Sequence, residues 1–132
     1  MTTQHEFETT IAVRFRDIDA MGHVNNAVFA TYLEQARADY FREVVGAGLT
    51  EVETVLASLT VDFQQPIAPD QTVTVGLSIP DLGESSIPME YEIRLEDGTV
   101  AATAETVQVV YDAEAERSRP IPTAWRTAIE SA

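Results

Sequence analysis

The sequence predicts an α+β fold: a five-stranded antiparallel sheet with one long helix laid against its apolar face. Three observations predict it. Five stretches alternate apolar and polar residues with period two. One stretch, Asn26 to Val45, repeats its apolar residues at helical spacing instead. That helix falls between the first and second strands, and the later strands follow one another through short, turn-rich connections.

In the first strand, Phe7, Thr9, Ile11, Val13 and Phe15 fall on one side. In the helix, Phe29, Tyr32, Leu33, Ala36, Tyr40 and Val44 form one stripe. Val28, Phe41 and Val45 lie off the stripe, so the helix is apolar on more than one side, and Gly46 and Gly48 end it. The second strand carries Val55, Ala57, Leu59, Val61 and Phe63, and the third Val73, Val75, Leu77 and Ile79. The fourth has Ile87, Met89, Tyr91, Ile93 and Leu95 facing in, with Glu90, Glu92, Arg94 and Glu96 facing out. Pro88 lacks an N–H to give and so assigns that strand to an edge. Asp97-Gly98 reads as a two-residue hairpin turn into the fifth strand, Thr99 to Tyr111, which alternates less cleanly. Thr123, following Pro120 and Pro122, is placed to cap a short helix carrying Trp125 and Ile129. One helix cannot cover both faces of such a sheet, so the leftover surface and edges imply a homodimer or a dimer of dimers.

The length, 132 residues, suits one domain spanning 1–132. No apolar run is long enough to span a bilayer, and "MTTQHEFETT" has neither the basic nor the apolar part of a secretory signal, so the expected location is cytoplasmic. With no cysteine there are no disulfides, thiolate metal sites or cysteine nucleophiles. The formal net charge is −14, from 22 acidic residues against 8 basic ones, all arginine. Such a surface repels phosphate backbones and anionic lipid, which disfavours nucleic-acid and membrane-surface partners. Dense carboxylates without lysine suit a high-salt, halophilic cytoplasm, where ions screen self-repulsion.

The densest chemistry lies in "DIDAMGHVNN", residues 17–26, at the junction of strand and helix. A helix starting near Asn25 or Asn26 exposes unpaired backbone N–H groups at the positive end of its dipole, suited to a developing oxyanion. Asp19, on the loop leading into that end, supplies a carboxylate for nucleophilic or general-base work. Gly22 allows tight or left-handed backbone. The same residues also make a good cap, since Asp and Asn lead the N-cap preferences, and spacing alone leaves both readings open. His23 has only His5 for company, so a histidine-rich metal site cannot be built.

The run "RFRDIDAMGHVNNAVFATYLEQARADYF" resembles the hotdog-fold acyl-CoA thioesterases of the 4-hydroxybenzoyl-CoA thioesterase-like family, through Asp19, Gly22, His23, Val24, Asn25, Asn26, Glu34 and Arg37. The closing "RPIPTAWRTAI" is similar to the family's C-terminal end. The resemblance implies a sheet wrapped around one central helix, with dimers formed by strand pairing. It also implies hydrolysis of an acyl-CoA substrate to free acid and thiol, without metal or redox cofactor. It puts Asp19, Asn26 and His23 in the catalytic set: Asp19 attacks the thioester carbonyl or activates water, and the Asn26 N–H polarises that carbonyl. Gly22 and Asn25 fall around the substrate. Asp17 reads as a supporting or turn residue, and Glu34 and Arg37, one helical turn apart, as structural residues, either paired with each other or with Arg37 holding loop or sheet across the interface. Relatives with a basic loop between the third and fourth strands grip the nucleotide there, whereas this chain has "DLGESS". Ser85 and Ser86 in that loop, with Arg117 and Arg119 after the fifth strand, are the remaining candidates to meet the phosphates, although Arg117 and Arg119 equally suit a solvated turn that balances Glu114 and Glu116. A hydratase or dehydratase on acyl thioesters, and a non-catalytic acyl-thioester binding module, are the alternatives that share the fold.

Overall fold

In a computed structural model, which describes residues 7–46 and 52–132, the chain runs β1 (Phe7–Ala12), α1 (Asn26–Tyr40), β2 (Glu53–Phe63), β3 (Thr72–Ser78), β4 (Ser86–Arg94), β5 (Val100–Asp112), β6 (Arg117–Ser118) and α2 (Thr123–Ser131). His5 and Gly48 lie outside the described residues. The five long strands form one antiparallel sheet in the order β1-β3-β4-β5-β2, and the two-residue β6 pairs with β5. Among the described residues, no helix is long and apolar enough to cross a membrane.

The core follows the alternation where the strands are regular. Val73, Val75 and Leu77 of β3 and Ile87, Met89, Tyr91 and Ile93 of β4 are all buried, together with Phe29, Tyr32, Leu33, Ala36 and Tyr40 of α1. The helix does continue to Val45, but its last turn, Phe41–Val45, is widened, and Gly46, at φ 76°, closes it by donating its N–H to Phe41 O at 2.7 Å. Trp125 of α2 packs on Phe41 there, ring centroids 5.4 Å apart.

Five local expectations need correcting. The strand β1 stops at Ala12, and a tight turn over Phe15–Asp17 swings Phe15 into solvent, 96% exposed, instead of inward. In β2 a bulge at Ala57 breaks the pairing between Leu56 and Ser58. Opposed residues of an antiparallel pair share a face. Leu59, Val61 and Phe63, opposite Thr106, Ala104 and Ala102, therefore face α1, whereas Val55, opposite Val109, faces away. Pro88 sits in an interior strand, but in the part of β4 that has outrun β3, whose pairing ends at Ser78–Glu90. The hairpin after β4 is longer than two residues: Leu95 N–H bonds Thr99 O at 2.8 Å around a loop in which Gly98 takes φ 89°. Thr123 is the first residue of α2, and Pro122 precedes it as an N-cap without a side-chain bond.

This arrangement leaves two surfaces uncovered. β2 lies at the sheet edge with Val55, Leu56, Leu59 and Phe63 all exposed. On the face of the sheet away from α1, Glu90 stands directly opposite Glu105. Like charges so placed repel, and salt screens the repulsion. Glu105→Gln is expected to raise the melting temperature at low salt by about 1–2 °C, with the gain vanishing in multimolar KCl. Paired thermal melts at the two salt levels check it.

Candidate functional site

Residues 17–26 fold into a closed loop on the end of α1. Asp19 N–H bonds His23 O at 2.8 Å, Gly22 N–H bonds Asp19 O at 3.1 Å, and Ile18 pairs with Val24 as a small antiparallel bridge. Gly22 turns the chain at φ 83°. A Cβ there meets nothing within 4 Å, so only the backbone is strained by substitution. Gly22→Ala is expected to cost about 1–2 kcal/mol in urea unfolding.

The loop holds the Asp19 carboxylate by one oxygen. Oδ1 accepts the N–H groups of Met21 at 2.9 Å and His23 at 3.3 Å, and neither bond uses Oδ2. The helix end is capped by Asn25, whose Oδ1 accepts Ala27 N–H at 2.9 Å and whose backbone O accepts Val28 N–H at 2.8 Å. Neither bond uses the N–H of Asn26, the first helical residue. The same stretch is thus both a cap and a presented carboxylate beside a helix N-terminus.

Asp19, His23 and Asn26 come together on one wall of a cleft of about 390 Å3. The other walls are Phe29 of α1, in edge contact with Phe63 at 5.0 Å, and the segment Phe63–Pro66 at the end of β2. Gln64 and Gln65 are fixed there by donating both their N–H groups to Ala101 O, at 2.9 and 3.1 Å. The sequence pattern missed the segment Phe63–Pro66; its only local signal was the turn at Pro66. Asn25 and Gly22 shape the loop without lining the cleft.

Beneath the loop Asp17 is 1% exposed. Burial by itself would raise its pKa, but the bonds from the Arg14 side chain, the Arg14 N–H and the Tyr32 hydroxyl more than offset this and hold it below the usual carboxylate value. Tyr32 is pushed well above the ordinary tyrosine range, by burial first and then by its bond to Asp17. The expected Glu34–Arg37 pair does not form. Glu34 is exposed, while Arg37 turns into the core and donates to Tyr91 Oη at 3.4 Å, and that oxygen lies 2.6 Å from Thr106 Oγ1.

The expected phosphate-binding set lies elsewhere. Val110 N–H bonds Ser85 O at 2.9 Å, Arg119 N–H bonds Val110 O at 3.0 Å, and Ser86 pairs with Val109, so Ser85, Ser86, Arg117 and Arg119 gather at one end of β5. The cleft lies at the Ala101–Ala102 end, about 27 Å away along the strand. Within one chain the two groups are therefore separate, because β5 is long and the loops meet opposite ends of it. Arg14, Arg42 and Arg94 are engaged by carboxylates, and Arg126 by Gly83 O. Arg16, Arg117 and Arg119 make no side-chain bond among the described residues. No group of three or more His, Cys, Asp or Glu side chains is placed to hold a metal ion among the described residues.

Residues 13–129 match the thioesterase-like superfamily. A thioesterase from Thermus thermophilus, solved with coenzyme A and zinc, is 38% identical, covers 96% of this chain and 98% of its own, and superposes with a TM-score of 0.85. A protein from Pseudomonas aeruginosa strain PAO1 is 30% identical over 97% of this chain and 92% of its own, with a TM-score of 0.88. The protein YsmA of Bacillus subtilis (strain 168) is 28% identical over 90 residues, a match that spans 67% of this chain and 61% of YsmA.

Proposed function

The chain belongs to the thioesterase-like superfamily and has the hotdog fold, and from that premise we propose that it hydrolyses an acyl-CoA thioester to a free acid and coenzyme A. One observation carries the reading. A carboxylate with one tethered and one untethered oxygen shares a cleft with the first residue of a helix. The thioester carbonyl oxygen accepts the Asn26 N–H, where the helix dipole favours the negative charge it develops. Asp19 acts on the carbonyl carbon, directly or by taking a proton from water. A new C–O bond forms, the C–S bond breaks, and the thiolate leaves and is protonated. By the direct route water then cleaves the acyl–aspartyl anhydride, and single turnover in 18O-labelled water separates the two routes. His23 steadies Asp19 through its backbone N–H and lines the cleft, and Phe29 and Phe63 offer apolar walls to the acyl group.

A homodimer completes this reading. The exposed apolar edge of β2 suits antiparallel pairing with β2 of a second copy. Such pairing sets the Glu53 end of one strand beside the Phe63 end of the other. Glu53 lies opposite Tyr111, and Tyr111 opposite Ser118, so Arg117 and Arg119 of a second copy come to the cleft's end of the sheet, two strands in from the seam. They are free to meet phosphate oxygens there, with Ser85 and Ser86 close by. The lysine-free acidic surface accords with a high-salt cytoplasm. The test is a thiol-release screen over acyl-CoA thioesters in high KCl, with Asp19→Asn as control. Hydration of an enoyl thioester without thiol release would make the protein a hydratase, and tight binding without turnover would make it a binding module.

A further inference from the structure

We propose that Asp17 is the positioning residue of this site: its buried carboxylate sets where the Asp19 carboxylate stands relative to the helix end. The proposal rests on the thioesterase reading for its kinetic test. Three parts of the chain meet at Asp17. The chain just past β1 reaches it through Arg14, whose backbone N–H bonds Oδ2 at 2.9 Å and whose Nη2 bonds Oδ1 at 3.0 Å. The second turn of α1 reaches it through Tyr32, whose hydroxyl bonds Oδ2 at 2.7 Å. The helix cap reaches it through Asn25, whose N–H bonds the backbone O of Asp17 at 2.8 Å. Asp19 follows two residues later, across the small bridge of Ile18 with Val24.

The residue type is part of the device. Every group around the carboxylate is a donor, and only an ionised carboxylate accepts from all of them. An asparagine keeps the shape but turns an NH2 toward Arg14 or Tyr32, so at least one bond is lost and the loop can settle in a second arrangement. Asp17 does not line the cleft, so this effect reaches the reaction only through the loop. A shift of about 1 Å in a reacting group is enough to cost two orders of magnitude in rate.

The protein contains its own control. Asp39 is also buried and ties β1 to α1, accepting from Thr9 Oγ1 at 2.8 Å, Gln35 Nε2 at 2.9 Å and Arg42 Nη2 at 2.7 Å. It does so at the other end of α1. Asp17→Asn and Asp39→Asn are therefore expected to lose similar stability but to differ at the site. The first lowers kcat ten- to hundredfold with KM within about twofold, and the second leaves kcat within twofold. Tyr32→Phe is expected to lower kcat by about three- to tenfold, and adding it to Asp17→Asn to cost less than the product of the two, because both loosen one network. Amide hydrogen exchange at Asp19 and Asn25 is expected to rise in Asp17→Asn and not in Asp39→Asn. If Asp17→Asn matches Asp39→Asn in both kcat and exchange, Asp17 is a fold anchor and the proposal is overturned. If the wild type releases no thiol from any thioester, the thioesterase reading falls, while the exchange comparison still decides the role of Asp17.

Discussion

Asp19→Asn is expected to lose at least a hundredfold in thiol-release kcat while melting within a few degrees of the wild type. The two halves of this expectation come from the two oxygens of one carboxylate. Oδ1 accepts the N–H groups of Met21 and His23, and an asparagine keeps a carbonyl oxygen that accepts the same pair. The loop therefore survives the exchange. What is lost is the charge and basicity of Oδ2, the oxygen the loop leaves untethered. General-base or nucleophilic action of a placed side chain contributes about 10²–10⁴ in rate, and an amide supplies none of it. Parallel thermal melts and thiol-release assays check both halves. A folded Asp19→Asn variant with full turnover would remove Asp19 from the mechanism.

Leu56→Glu is expected to separate the protein into monomers at micromolar concentration and to lower thiol release at least tenfold. Leu56 is an exposed apolar residue beside the bulge in the middle of β2. In an antiparallel pairing of two β2 strands this region lies near the two-fold axis, so each introduced carboxylate is desolvated close to its own copy. An unpaired charge so buried costs several kcal/mol, enough to raise the dissociation constant by more than a hundredfold. On the proposed dimer, loss of activity should follow, with a rise in KM for the CoA substrate, because Arg117 and Arg119 would no longer arrive from a second copy. Sedimentation velocity together with kinetics checks it. A Leu56→Glu dimer of unchanged activity would mean that β2 is not the pairing edge.

How much was legible in the sequence differed by element, for physical reasons. In β3 and β4 the period-two pattern of Val73, Val75, Leu77 and of Ile87, Met89, Tyr91, Ile93 is enough, because both strands are regular and interior. The loop from Asp17 to Asn26 was also legible, since its bonds are mostly between residues close in sequence. Its Asp17 was undervalued, because the Tyr32 bond comes from a helical turn 15 residues on. In β2 the apparent alternation of Val55, Ala57 and Leu59 misled, since one inserted residue reverses the face without leaving a mark on composition. The wall of the cleft at Phe63–Pro66 and the separation of Arg117 and Arg119 from Asp19 are consequences of strand order and strand length. No local pattern encodes these.

The bulge at Ala57 has a consequence for growth as well as for burial. A long apolar edge strand is normally a template on which chain after chain can add, sliding by two residues at no cost. Here the odd–even phase of β2 changes at Ala57, so a neighbour that slides is in phase with one half of the strand and out of phase with the other. Of the antiparallel alignments of β2 with itself, the one that sets bulge against bulge satisfies both halves together, and it uses up the β2 edge of each copy. The irregularity thus acts as an indexing notch: it favours a closed pair over an open-ended fibre.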